Sequence, residues 1–167
     1  MNAAIVNLNT FAGLPLHILL VHVMVVGGPL TALAVLLHAF WPAARRRLGI
    51  VTPIAGLIVL VLTPITVNAG EYLQSVVGTT PALALHVERG LTLQPWSIGL
   101  FAVSLAEWAW WRFALSAAYG PRLTATVRWG GTVVIWVAAA VIAIGFLVDI
   151  VLIGDSGARA VWGGVLG

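Results

Sequence analysis

Residues 129–153 read WGGTVVIWVAAAVIAIGFLVDIVLI, with a single ionisable side chain, Asp149. A helix needs about 20 apolar residues to cross the hydrocarbon core of a bilayer. Within lipid it is also the simplest way for a backbone to satisfy its own hydrogen-bonding groups. This run is therefore expected to cross a membrane as a helix. Three further runs of the same character occupy about 14–40, 49–69 and 95–117. Together they predict an all-α, polytopic membrane protein. The expected architecture is a four-transmembrane-helix bundle built as one domain over residues 1–167, with no internal repeat and no low-complexity linker.

Composition supports the same solvent. Of 167 residues, 61% are hydrophobic and 8% charged, and the mean hydropathy is +1.08. A soluble domain is about a quarter charged, so this chain has too few polar groups to cover its own surface. The net charge of +3 comes without a single lysine, and basic loops flanking membrane spans account for it better than nucleic-acid binding does. No nucleic-acid partner is expected. The absence of cysteine excludes disulfides, thiolate metal sites and covalent c-type haem attachment. The first run is not expected to be a cleaved signal peptide, because it is too long and no positive charge precedes it.

Arginine sets the expected orientation. Arg45, Arg46 and Arg47 lie in the 41–48 loop, and Arg112, Arg122 and Arg128 in the 112–128 loop. The positive-inside rule makes that face cytoplasmic, which predicts a multi-pass protein of the bacterial inner membrane with both termini outside the cytoplasm. Trp41-Pro42 and the arginines after it are read as the stop of the first helix. Trp96 and Trp129, with Trp108, Trp110 and Trp111, are read as aromatic belts. Gly27-Gly28 and Gly56 are read as sites of close helix packing, and Pro29 as a point where the first helix kinks. The 70–94 segment is expected to be a long outer loop that folds back over the bundle. Within it, Thr80 caps a short helix from Pro81 to about Arg89, which Gly90 ends before Pro95 opens or kinks the third span.

Ionisable side chains inside a membrane are costly and usually face protein. The topology gathers His17, His22 and His86 at the outer face, together with Glu71, Glu88, Arg89 and Asp149. His17 and His22 are about 140° apart around a helix, so they are not expected to reach one small ion together. Histidines at a membrane interface are also commonly just solvated or hydrogen-bonded to backbone. Towards the other face, His38 and Glu107 are expected to point at protein rather than lipid, as a buried hydrogen-bonded pair or as part of a proton path.

The stretch Leu14-Pro15-Leu16-His17, followed by Leu20-Val21-His22, resembles the opening of a bacterial membrane family known as domain of unknown function 2231. Ala69-Gly70 resembles that family's small residue and glycine near the end of the second helix, and His86 its histidine at the entrance to the third. Val23-Met24 depart from the aromatic–proline pair the family carries after its second histidine. The family's layout is similar to that of four-helix b-type cytochromes, so the resemblance implies a haem b site.

Two axial imidazoles from different elements are what such a haem needs. His86 with His17 or His22 answers that in kind, with Arg89 as a partner for a propionate. Four histidines divided three and one between the faces allow one haem and disfavour a two-haem relay. The competing site is a metal ion held by His17, His22 and His86 with Glu71 or Glu88. A reading of a different class is a non-catalytic accessory subunit, packed in the lipid bilayer against a larger membrane complex or against further copies of itself. No phosphate-cradling loop, nucleophile elbow or HExxH motif is present, and the chain is not expected to be an enzyme on its own.

Overall fold

The computed structural model describes residues 10–163 apart from Ala12. The extreme N-terminal segment and the last four residues, whose side of the membrane the sequence assigns, lie outside the described residues. The fold is all-α apart from a two-residue hairpin, in which β1 (Thr10–Phe11) pairs antiparallel with β2 (Leu14–Pro15). Helix α1 spans Leu16–Phe40, α2 Pro42–Leu48, α3 Val51–Val77, α4 Pro81–Ala109 and α5 Ala125–Trp162. A π-helical turn, Trp110–Ala114, and a 3-10 turn, Gly120–Arg122, connect α4 to α5. Both α1 and α4 pack against α3 on one side and α5 on the other. One end of this arrangement carries His17 and the other carries Arg45. They are called the histidine end and the arginine end below.

Helices α1, α3 and α5 are each long and apolar enough to cross a membrane, which is compatible with a multi-pass membrane protein. The fourth expected span falls in α4, which does not reach that apolarity because His86, Glu88, Arg89, Gln94 and Glu107 interrupt it. Burial differs from that of a soluble domain. Small and hydroxylated residues such as Ala32, Ala139, Ala143, Ser97 and Thr63 share the interior with a few large apolar ones, Phe146 and Leu100 among them. Branched aliphatics such as Val26, Leu30, Val134, Val141 and Val151 stand exposed. Small interior residues let helices approach closely where lipid removes the usual hydrophobic drive for association. Gly28 lies under the Phe146 ring and Gly56 against Ser104 and the Phe101 backbone, as expected, whereas nothing packs on Gly27.

The expected 70–94 outer loop is corrected. Helix α3 continues to Val77 and α4 starts at Pro81, so only Gly78, Thr79 and Thr80 connect them. Gly78 takes φ 85°, a left-handed conformation that suits glycine, and its N–H closes α3 on the Gln74 carbonyl. The expected cap is present: the Thr80 hydroxyl accepts from the Leu83 N–H at 3.2 Å. Gly90 and Pro95 do not break α4. A proline inside a helix removes one hydrogen bond at a cost of about 3 kcal/mol, and the packing of α4 between α3 and α5 holds the helix through it. The 41–48 loop is also mostly helical. Trp41 adopts an extended conformation after α1, and α2 carries the three arginines.

A further correction concerns the end of α5, and three tryptophans make contacts beyond those expected of a belt. Helix α5 does not stop near residue 153 but runs to Trp162, past Gly154 and Gly157. Trp96, Trp110 and Trp111 are not simple belt residues. Trp96 lies over Gly145 and Trp110 over Gly131, each closing a gap between helices. Trp110 also donates to the Thr132 hydroxyl at 3.2 Å, and Trp111 lies beneath the Arg45 guanidinium at 3.6 Å.

Candidate functional site

The extensions of α3, α4 and α5 at the histidine end, together with the start of α1, enclose a cavity of about 650 Å³. Its walls are mostly aliphatic, among them Val21, Val67, Leu73 and Ile150, and His17, His22, His86 and Glu71 interrupt them. His17 comes from the first turn of α1 and His86 from the second turn of α4. Their ring centroids are 6.5 Å apart and their planes are inclined at 73°.

Each of these two imidazoles is fixed from behind. The His17 Nδ1 lies 2.9 Å from the Thr66 carbonyl of α3. The His86 Nδ1 lies 3.2 Å from the Ile153 carbonyl of α5 and 3.2 Å from the Ser156 hydroxyl. A carbonyl only accepts, so Nδ1 is the protonated, donating nitrogen in both rings. In a neutral imidazole that leaves the Nε2 lone pair free. Glycine makes room for each ring. A Cβ at Gly70 would sit 2.8 Å from the His17 Cε1, and one at Gly157 would sit 3.0 Å from the His86 Cε1. The site therefore draws a ring from α1 and a ring from α4, with a carbonyl and a glycine from α3 for the first and from α5 for the second.

The other expected site residues stand differently. His22 is exposed and its Nδ1 turns back to the Ile18 carbonyl of its own helix at 2.6 Å, although the residue contributes to the same cavity wall. Arg89 is not part of that wall and donates to the Leu152 carbonyl at 3.0 Å. Glu88 is exposed, also outside the wall. Asp149 accepts from the Thr92 hydroxyl at 2.8 Å. Among the described residues no three His, Cys, Asp or Glu side chains come together to hold a metal ion. The three-histidine metal arrangement is thus reduced to one pair.

Sequence reasoning missed Thr66, Ile153, Ser156 and Gly157. Carbonyl partners leave no mark in a sequence. Ser156 and Gly157 lie past residue 153, where the apolar run that marks the span ends. Gly70 alone had a signal, through the likeness of Ala69-Gly70 to a family motif.

At the arginine end, His38 and Glu107 are 1% and 0% exposed, facing protein as expected, and the His38 Nδ1 is 3.3 Å from the Glu107 Oε1. No protein-family model, curated protein or solved structure matches this chain.

Proposed function

We propose that this chain is a four-span helical bundle of a bacterial inner membrane, with its histidine end outside the cytoplasm, that binds one b-type haem between His17 and His86. The observation that carries the reading is the pair of imidazoles on different helices, each held through Nδ1 on a backbone carbonyl and each with Nε2 free. An imidazole nitrogen bound to a metal stands about 2 Å from it. With each ring centre roughly 1 Å further back, two axial rings on one iron have centroids roughly 6 Å apart. The observed 6.5 Å fits that spacing, and the aliphatic walls of the cavity beside the pair offer apolar contact for a porphyrin face.

Haem, when bound, would supply one-electron redox chemistry. The chain's own residues do the rest. Thr66 and Ile153 orient the rings and fix the tautomer, as ligand-orienting groups behind a metal commonly do. Gly70 and Gly157 let the rings retreat far enough from the cavity centre. Arg89 is already engaged with α5 and is not assigned a propionate. In this reading the fourth span lies in α4, whose His86 faces the cavity, whose Arg89 and Thr92 face α5 and whose Glu107 faces the interior.

Optical absorbance of the purified full-length protein tests the proposal. A Soret band with a sharp α-band on reduction is expected. His17→Ala and His86→Ala should each abolish the low-spin spectrum, whereas His22→Ala and His38→Ala should leave it in place. A wild-type protein that stays blank after reconstitution with excess haemin would overturn the haem reading in favour of an accessory subunit of a larger membrane complex.

A further inference from the structure

We infer that Glu107 and His38 form a proton-binding site at the arginine end, independent of the histidine-end cavity. The two side chains meet across helices α4 and α1. They are in contact at 3.3 Å but not aligned as a hydrogen bond, and neither Glu107 oxygen has a hydrogen-bond partner in the protein. The Thr52 hydroxyl of α3 is also fully buried and unpartnered. Gly56 lies against Ser104, so one helical turn towards the arginine end brings Thr52 level with Glu107. The interior here thus presents a carboxyl, an imidazole and a hydroxyl with unmet polar atoms, the set that a proton with a bridging water satisfies.

Charge accounting leads to the same place. An ionised carboxylate this deep is strongly penalised unless a cation pairs with it. The charged groups acting on Glu107 are His38 of α1 and Arg45 of α2. Around the pair α3 contributes Thr52, α5 contributes Trp136, which donates to the Ala39 carbonyl next to His38, and the π-helical turn contributes Trp111 beside the His38 ring; none of these titrates. Arg45 does not pair with the carboxylate. Its Nε donates to the His38 carbonyl at 2.8 Å and a terminal nitrogen to the Ala39 carbonyl at 2.5 Å, with the guanidinium stacked over Trp111. It closes the end of α1 instead of neutralising Glu107. A proton held on the carboxyl, or on the imidazole beside it, is what neutralises the carboxylate. Uptake moves one proton from water to a Glu107 oxygen or a His38 nitrogen and transfers no electrons.

Infrared difference spectroscopy on the full-length protein in detergent tests this, with spectra recorded at acid and at alkaline pH. The expected result is a carbonyl-stretch band of a buried protonated carboxyl that appears on acidification and shifts in D₂O. The band should be lost in Glu107→Gln, displaced in Glu107→Asp and His38→Gln, and unchanged in His17→Ala. Glu107→Asp keeps the test open should Glu107→Gln fail to fold. Acid-minus-alkaline spectra that are identical in the wild type and both Glu107 variants would overturn the proposal.

Discussion

At the scale of single residues, this protein uses glycine as a seat for other side chains. Gly70 and Gly157 meet the two imidazoles at distances where a methyl group does not fit without movement. Gly70→Ala and Gly157→Ala are therefore expected to lower stability by about 1–3 kcal/mol, the usual range for overpacking a close contact. Thermal unfolding in detergent checks this. Gly90 is the contrast, because a Cβ there meets nothing within 4 Å. Gly90→Ala is expected to stabilise α4 by up to about 1 kcal/mol through helix propensity alone. A sequence lists both kinds of glycine identically. It does show that His17 and His86 belong to one face, since that follows from counting spans. It does not show that His22, only five positions from His17, turns to its own backbone while His17 turns to α3. That choice is made by which neighbour lies on each side of α1.

At the scale of elements, helix cores were legible and helix ends were not. Long apolar runs locate α1, α3 and α5 unmistakably, because lipid imposes a minimum length that few other structures share. The ends depend on neighbours. Gly90 and Pro95 weaken α4 locally, yet α3 and α5 flank it and keep it continuous. Past residue 153, α5 carries the Asp155–Arg159 pair at 2.9 Å one turn apart. It also carries Gly157 against His86, a contact no local reading anticipates. Two ends did obey local rules: Trp41-Pro42 stops α1, and Thr80 with Pro81 reads as a start signal and is one. Thr80→Ala is expected to destabilise the first turn of α4 by about 1 kcal/mol. Faster amide exchange confined to the N–H groups of the first turn, Leu83 in particular, would be the signature. An unchanged rate there would mean that the α3–α4 junction, not the cap, fixes the start of the helix.

At the scale of the whole molecule, length and sidedness combine. With 38 residues, α5 measures about 57 Å at 1.5 Å per residue, whereas the hydrocarbon core is about 30 Å thick. Much of α5, and of the histidine-end cavity it helps enclose, is thus expected to stand at or beyond the headgroups. The chain has no cysteine, so single-cysteine variants report accessibility without background. In sealed inverted vesicles, Arg46→Cys and Arg122→Cys should react with a membrane-impermeant maleimide, while Thr79→Cys should be protected until detergent is added. Labelling of Thr79→Cys without detergent would remove α4 as a span and reverse the side assigned to the cavity.

The packing of each imidazole on a glycine also constrains how this molecule can drift over evolutionary time. His17 with Gly70, and His86 with Gly157, are two locks whose halves lie on different helices and far apart in the chain. A methyl added to the glycine half crowds the ring, so it is accommodated when the ring shifts or is lost. In any set of related sequences the four positions should therefore change as two coupled couples. A lineage that has lost both histidines should be free to carry alanine or serine at both glycines, and its cavity should have been filled from the walls inward.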